Sequence, residues 1–459
     1  MLRLHDTATG RVDELVTRDP GRVGLYVCGS TVYGPPHVGH GRFALVYDVL
    51  RRYLRHRGLR VHFVSNVTDL DDKILDRARA ERRDWRDVAT EWEEQWWAAL
   101  DRMGVEPPDD DPHATAYIPE MVELIGELVR AGAAYETSDG VYLEVDRVPG
   151  YGLLVHQDLS SLLAGAGARV AVTEEKRSPL DFALWKKAKP GEPTWPSPFG
   201  EGRPGWHTEC VVMSLALLGE DFDLHGGGQD LMFPHHENER AQAVALGRRF
   251  TRHWVHNGLV TVGGEKMSKS LGNFTTLAEL LEENDARALR LLVVQSGYRS
   301  PLEVTHDLLQ GAAIAVGRID ALSRRLAGVA RDVRSAPFSA VEADALTQRF
   351  EERMDDDLDT SRAVAALFEG IRRANALLDA GDADAGIALG RAALACFAVL
   401  GLEPREGEAV PDERVLDLME RRDAAREARD FAAADALRGE IESLGWKVED
   451  TRTGTRVHR

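Results

Sequence analysis

The stretch from Arg22 to Val64 constrains the fold more than any other. Residues 22–27 (Arg-Val-Gly-Leu-Tyr-Val) read as a short buried strand that ends at Cys28-Gly29. A loop rich in Gly and Pro follows, through Gly34-Pro35-Pro36, and a helix is expected from about Gly39 to Arg57. Its apolar positions Phe43, Val46, Tyr47, Leu50 and Leu54 recur at helical spacing, and Gly58 supplies the stop. Residues 60–64 alternate like a second strand. Strand, helix and strand in so short a span form a βαβ unit, which requires a parallel sheet. In such sheets ligands bind beyond the carboxyl ends of the strands, where Cys28 to His40 and Asn66 to Lys73 then lie.

The rest of the chain is organised around that unit. At 459 residues it is too long for one ordinary domain, and two to four are expected. Residues 85–103 form a Trp-rich helix whose Trp85, Trp92 and Trp96 fall near one face, a stripe read as packing. Residues 120–200 are a mixed insertion with a Pro-rich exit, and a second parallel-sheet half resumes near Gly205. A Pro/Ser-bearing linker around Arg331–Ala340 opens a helical, Ala-rich region to about Leu402. Pro404 to Pro411 form a second linker, and a charged helical hairpin with a short tail closes the chain. The N-terminus lacks the apolar run of a signal peptide, and no uninterrupted apolar stretch could span a bilayer, so the expected compartment is the cytoplasm.

Charge and cysteine usage narrow the chemistry. A formal net charge of −19 argues against a general nucleic-acid coat. It leaves room for a specific RNA partner, because surface charges are largely screened beyond about 8 Å at physiological salt. The three cysteines, Cys28, Cys210 and Cys396, are too few and too irregularly spaced for a disulfide framework. Cys396 sits in the Ala-rich region and reads as core packing, whereas the other two remain open as metal ligands.

Four segments carry candidate chemistry. Pro36-His37-Val38-Gly39-His40 lies at a helix start, where unpaired N–H groups and partial positive charge suit phosphate. His37 and His40 can both face such an anion, although ordinary surface histidines near a turn are the alternative. Gly263-Gly264-Glu265-Lys266-Met267-Ser268-Lys269-Ser270 follows a strand as a loop, and its two lysines can supply positive charge to a polyphosphate. A solvated basic loop is the alternative. His235 and Glu239 are i and i+4 on a helix expected to begin near Pro234, which puts them on one face. With Cys28 and Cys210 they could make a tetrahedral zinc site, while spacing alone also allows two buried structural cysteines. Finally, Gly226-Gly227-Gly228 removes every Cβ and lets a flat ring or phosphate approach backbone, with a flexible loop as the alternative.

Taken together these residues resemble the class I aminoacyl-tRNA synthetases, whose signatures are His-x-Gly-His and Lys-Met-Ser-Lys-Ser. Within that class the chain is similar to the cysteinyl-tRNA synthetase family. The matching stretches are Tyr26-Val27-Cys28-Gly29, Asn66 to Lys73, Pro196 to His207, His225 to Gly228, His235 to Glu239 and Lys266 to Ser270. The resemblance spans nearly the whole chain, including the C-terminal hairpin. Ser30, Gly34-Pro35 and Gly41 depart from the usual family residues, in the loop over ATP and zinc.

The resemblance implies an α/β fold. A Rossmann-type parallel-sheet catalytic domain with an insertion is followed by a helical bundle and a small C-terminal anticodon-binding domain. The expected boundaries are 1–119 and 201–262 for the two catalytic halves, with the connective insertion at 120–200. The loop and stem-contact region follows at 263–335, the bundle at 336–404 and the anticodon-binding region at 405–459. The implied activity is ATP-dependent formation of cysteinyl-AMP and transfer of cysteine to the 3′ end of tRNA(Cys). Catalysis falls to His37, His40, Lys266 and Lys269, and ATP contacts to Gly29, His37, His40, Gly226, Gly227, Gly228 and Lys269. Thr68, Trp206 and Asp230 are implied to touch cysteine. One zinc ion per chain is implied on Cys28, Cys210, His235 and Glu239, with Mg²⁺ accompanying ATP. A monomer without membrane attachment is expected. Arg421, Arg422, Arg426 and Arg429, with Trp446, Lys447, Arg452, Arg456 and Arg459 beyond, suit unpaired RNA, and the resemblance turns this toward the anticodon. Two alternatives stay open: a mycothiol-pathway ligase joining cysteine to an amino-sugar, and a non-catalytic tRNA-binding paralogue.

Overall fold

A computed structural model of the chain describes residues 2–166, 175–262, 265–266, 276–329, 341–405, 413–451 and 454–458. Its central sheet contains strands β1 (Arg22–Val27), β2 (Arg60–Ser65), β3 (Phe222–Gly228) and β4 (Thr251–Asn257). They lie in the order β4-β3-β1-β2, and every pairing is parallel. The inner strands are buried on both faces, which is why β1 reads as an apolar run rather than an alternation. Helix α1 (Val38–His56) joins β1 to β2. Helix α5 (Glu237–Ala245) lies between β3 and β4, so the two units wind outward from the β1–β3 pair. That pair is the topological switch point, where the strand ends splay and leave a crevice.

The first strand–helix–strand unit lies where its sequence periods place it, to within one residue. Helix α1 begins with His37 as its cap, and the His37 N–H donates to His40 Nδ1 (3.1 Å). Helix α2 (Asp72–Glu81) is capped by Asp71, which accepts from the Lys73 N–H at 2.9 Å. In α3 (Trp85–Arg102) the tryptophan stripe is packing, as expected, but it serves two clusters. Trp96 joins the main core against Phe43, whereas Trp85 and Trp92 cover a small cluster around Ile74 and Val88.

Between α3 and α4 (Trp206–Leu218) lies the inserted region. It carries a helix, Ile118–Arg130, and a four-stranded antiparallel sheet built from Ala134–Glu136, Gly140–Leu143, Phe182–Lys187 and Gly202–Pro204. After the strand Val260–Val262 come helices Leu277–Glu283 and Ala286–Val294, then a helical bundle of His306–Val329, Val341–Met354, Thr360–Asp379 and Ala383–Val399. Cys396 is buried in the bundle core, consistent with its reading as packing. The linker expected at Arg331–Ala340 lies outside the described residues, as does most of Pro404–Pro411. Among the described residues no helix is long and apolar enough to cross a membrane.

Pro404–Arg459 form a separate unit. Helices Glu413–Glu427 and Phe431–Ser443 make the expected hairpin. The tail is a β-hairpin, Lys447–Thr451 paired with Gly454–His458, rather than an unstructured end. Trp446 is buried among Val415, Leu418, Leu437 and Ile441, so it is the core of this unit and not an exposed stacking surface. Arg422 is likewise buried and bonded to Asp450 and Thr455. The alternation of the tail pairs is weak in sequence, which is why a two-stranded structure there was not legible.

One buried ion pair ties α1 to the helix Ala286–Val294 that precedes the bundle. Arg290 Nη1 lies 2.5 Å from Asp48 Oδ2 of α1, and the two side chains are 1% and 0% exposed. The same guanidinium donates to the carbonyls of Met103, Gly104 and Leu400. Asp48 is also held by Arg52 and by the Glu106 N–H. Arg290→Met therefore removes a hub and strands part of a buried charge. It is expected to cost about 3–5 kcal/mol, read as a lower urea midpoint with secondary structure retained. An unchanged midpoint refutes the hub.

Candidate active site and metal centre

The site lies at the switch point. Cys28 leaves β1 with its N–H donated to the Gly226 carbonyl of β3 (3.1 Å). Gly29 turns under Asn66, which follows β2: its N–H donates to Asn66 Oδ1 (2.9 Å), and an added Cβ would come within 1.7 Å of the Asn66 carbonyl oxygen. Only glycine fits there. A cavity of about 390 Å³ opens between these strand ends. Cys28, Gly29, His37, His40, Thr68, Trp206, Cys210, Gly228, Asp230 and His235 all line it, so ten residues singled out from the sequence meet in one place.

Four donor side chains converge at its inner end. Cys28 Sγ is 3.6 Å from Cys210 Sγ and 3.4 Å from Glu239 Oε1. His235 Nε2 is 3.6 Å from Cys210 Sγ and 3.0 Å from Glu239 Oε1. Tetrahedral zinc with bonds of about 2.3 Å to sulfur and 2.0 Å to nitrogen or oxygen separates neighbouring ligand atoms by about 3.3–3.8 Å. The measured edges match that figure within a few tenths of an ångström, so the donor set fits the ion. Phe233 is extended and breaks the chain, and helical backbone resumes at Pro234 and runs through His236 into α5, so the helix begins near Pro234 as the sequence suggested. His235 and Glu239 lie four residues apart on that run, which brings them together.

A second set, Cys28, His225, His236 and Glu239, is also close enough to hold a cation. Three members of the first set line the cavity, Cys28, Cys210 and His235, but only Cys28 of the second does, so the first set is the one open to a substrate. His225 instead supports it: His225 Nε2 and Glu239 Oε2 are 2.7 Å apart, both groups fully buried. His207 does the same for His235, with Nδ1 to Nδ1 at 2.9 Å, which leaves His235 Nε2 to face the sulfurs. Trp206 stacks on His235 (centroids 4.0 Å apart, 19° between planes). Such partners orient a metal ligand and set its tautomer. The two histidines were not legible as partners in sequence, because neither His207 nor His225 has a regular spacing to the ligand it holds, and Trp206 was singled out only as a contact to cysteine.

Burial dominates the electrostatics. The Cys28 thiol is pushed well up by burial, then by its bond to Cys210 and by Glu239. Cys210 is pushed up by the same loss of solvent. Glu209, which accepts from Thr68 Oγ1 at 3.2 Å, is raised well above the usual carboxyl range by burial and then by Asp71 and Asp69. Without a cation this pocket resists negative charge. A divalent ion reverses that preference and draws the thiols into their thiolate form.

The outer part of the cavity is built around α1. The His37 and His40 rings stack 3.8 Å apart at the helix start. Gly228 reaches the cavity, but Gly226 and Gly227 do not. A Cβ on Gly226 would lie 2.4 Å from the Tyr47 ring, and one on Gly227 would lie 2.7 Å from the His236 ring. Those two glycines make room for side chains behind the sheet. Arg42, 1% exposed, donates to the carbonyls of Leu259 (2.7 Å), Tyr298 (3.1 Å) and Ser300, and so holds the Gly258–Val260 wall. The side chain of Lys266 and the whole of Lys269 lie outside the described residues. The flanks of that segment are placed: the Lys266 backbone pairs with Thr261, and Thr276 bridges to His37.

Residues 14–314 match the family model described as the class I (C) tRNA synthetase catalytic domain, and residues 349–402 match the DALR domain. A cysteine–tRNA ligase of Thermodesulfovibrio yellowstonii is 42% identical, over 98% of each chain. Those of Alkalilimnicola ehrlichii and Clavibacter sepedonicus are 45% and 46% identical, over 98% or more of each chain. Among solved structures, Mycobacterium tuberculosis methionyl-tRNA synthetase in complex with methionyl-adenylate superposes with a TM-score of 0.64 at 17% identity. The match covers 90% of this chain and 96% of that one, and it supports the fold.

Two buried histidines contribute to the acid limit of the fold. His207 and His256 are both pushed down to about 3 by burial, from an ordinary value of 6.5. The folded protein keeps both neutral, while the unfolded chain takes up a proton on each below that value. Their contribution is therefore complete above pH 6.5 and is lost as the pH falls toward 3. At pH 5 the loss is about 2 kcal/mol for each. The urea midpoint of the metal-free protein is expected to drop from pH 7.5 to pH 5, and a flat profile contradicts the assignment.

Proposed function

The chain belongs to the cysteine–tRNA ligase family of class I aminoacyl-tRNA synthetases, which join cysteine to tRNA with ATP, and on that premise we propose how its residues divide the work. Cys28, Cys210, His235 and Glu239 hold one zinc ion that reads the side chain of the substrate. The supporting observation is the tetrahedral spacing of four buried donors at the inner end of the cavity. A bound zinc ion supplies a strong preference for thiolate over hydroxyl or methyl, beyond the roughly 1–3 kcal/mol that a hydrophobic pocket gains per methylene.

The remaining residues orient and stabilise. Asp230, on the cavity wall, pairs with the α-ammonium of cysteine. Thr68 is held by Asn66 and Glu209, and Trp206 closes the side of the pocket. ATP lies between the start of α1 and the wall of Gly228 and Asn257–Val260, with Mg²⁺ as counter-ion to its phosphates. The cysteine carboxylate attacks the α-phosphorus in line; the bond to the β,γ unit breaks and pyrophosphate leaves. His37, His40, Lys266 and Lys269 offset the negative charge that builds on the phosphates. A ribose hydroxyl at the 3′ end of tRNA(Cys) then attacks the carbonyl carbon of the mixed anhydride, and AMP leaves. The C-terminal unit reads the anticodon through exposed cations such as Arg421 and Lys447. The enzyme acts as a cytoplasmic monomer.

Cys28→Ala tests the metal. Zinc per chain, measured by elemental analysis, is expected to fall from one to near none. Cysteine-dependent ATP–pyrophosphate exchange should fall by more than the roughly 10–100-fold that follows loss of a supporting partner. A zinc-free variant that still activates cysteine at the parent rate refutes the site. Lys269→Ala is expected to slow adenylate formation about 10²–10³-fold while tRNA affinity is unchanged. Equal loss of both measures makes the lysine structural.

A further inference from the structure

The cavity holds two fixed charges that it does not bury. Among the described residues lining it, Asp230 is the only carboxylate and Lys73 the only lysine or arginine. The proposed function uses Asp230 and leaves Lys73 without a role. The loop after β1 and the segment after β2 form one flank of the crevice: Thr68 N–H donates to the Ser30 carbonyl (3.1 Å), and Val32 N–H to the Thr68 carbonyl (3.3 Å). Lys73 stands in the first turn of α2, above that flank. Its ammonium lies 5.0 Å from the centre of the Tyr33 ring.

Two features mark this ammonium as poised for a ligand. Its neighbouring carboxylates are already engaged: Asp71 caps α2, and Asp72 binds Lys186 (2.6 Å) and Arg203. Among the described residues no carboxylate pairs with Lys73. The aromatic face holds the charge at the rim without neutralising it.

The position decides which anion fits. Lys73 follows β2, whereas the nucleotide wall at Asn257–Val260 follows β4, at the opposite edge of the sheet. Three inter-strand steps, about 14 Å, separate those edges. The cysteine side chain occupies the inner end, between them. What must still enter is the 3′ end of the RNA, with a phosphate on each nucleotide and unpaired bases. A lysine held over a tyrosine ring at the rim offers a fixed charge to a phosphate of that end. We infer that Lys73 and Tyr33 form the entry site for the 3′-terminal nucleotides of tRNA and act in the transfer step rather than in cysteine activation. This rests on the proposed placement of ATP and cysteine.

The test compares the two half-reactions in Lys73→Ala, Lys73→Arg and Tyr33→Leu, all in the full chain. For Lys73→Ala, kcat/KM for tRNA in charging is expected to fall about tenfold more than kcat/KM for cysteine in ATP–pyrophosphate exchange. Single-turnover transfer from preformed cysteinyl-adenylate should slow in step with charging. The slope of log(kcat/KM) for tRNA against log salt should become shallower by about one. Lys73→Arg should retain most of the transfer rate, and Tyr33→Leu should lose transfer without changing the salt slope. Parallel loss of exchange and charging overturns the inference and assigns Lys73 to adenylate formation. No effect on either also overturns it, as does equal damage from alanine and arginine. If the unaltered protein fails to exchange pyrophosphate with cysteine, the proposed function fails instead.

Discussion

Packing Cys28, Cys210, His235 and Glu239 against one another in a dry pocket is the constraint on which the site depends. Each group is nearly or fully buried, and each would lose solvation if charged. Left alone, the thiols stay protonated and the imidazole stays neutral, as the directions of their shifts indicate. An ion that prefers thiolate, imidazole and carboxylate converts that cost into binding energy. Metal affinity and the order of the pocket are then one quantity. This is why the supporting shell is so complete: His225 takes the far oxygen of Glu239, His207 takes the far nitrogen of His235, and Trp206 lies flat on the same ring.

The sheet makes that convergence possible. Cys28 leaves β1, Gly228 ends β3, and Cys210 comes from α4, which packs on the sheet. Only at the β1–β3 boundary do connections run away in both directions, so only there can donors from distant segments meet. Tyr47 secures the junction from α1, its hydroxyl accepting from the Gly227 N–H (2.6 Å) and donating to the Val255 carbonyl (2.7 Å). Arg42 and Asp48, on the same helix, reach the cavity wall and the helix Ala286–Val294 respectively. A single helix thus links His37 and His40, the floor of the sheet and the helical region.

How much of this the sequence disclosed depends on whether the signal is periodic. The β1–α1–β2 unit was legible because burial imposes apolar runs and helical repeats. Of the four donors only His235 and Glu239 share a readable spacing; Cys28 and Cys210 lie on two other segments, and the resemblance joined them to the pair. The glycine run was read as facing a ligand, yet Gly226 and Gly227 clear space for Tyr47 and His236, and only Gly228 borders the cavity. A missing Cβ tells that something approaches, not from which side. Trp446 was read as a surface for bases because cations surround it in sequence, but the indole packs in the small apolar core of this unit, where Arg422 is buried too. Gly41, a departure from the family, has a physical counterpart: a Cβ there would sit 3.0 Å from Leu277 and 3.3 Å from Met103. An alanine at that position requires Leu277 to move slightly.

Net charge and local charge play separate parts. An overall charge of −19 repels RNA at long range, so attraction must come from short-range sites that survive screening. The cavity rim is one such place, because Asp72 is fully engaged by Lys186 and Arg203 and leaves the neighbouring Lys73 uncancelled. An acidic protein with a few uncompensated cations binds phosphates only where shape lets them approach. Weak binding elsewhere follows from the same charge balance, and it favours a partner that touches several such points at once over one that touches a single patch. The requirement for simultaneous contact is itself a source of selectivity among RNAs of equal charge.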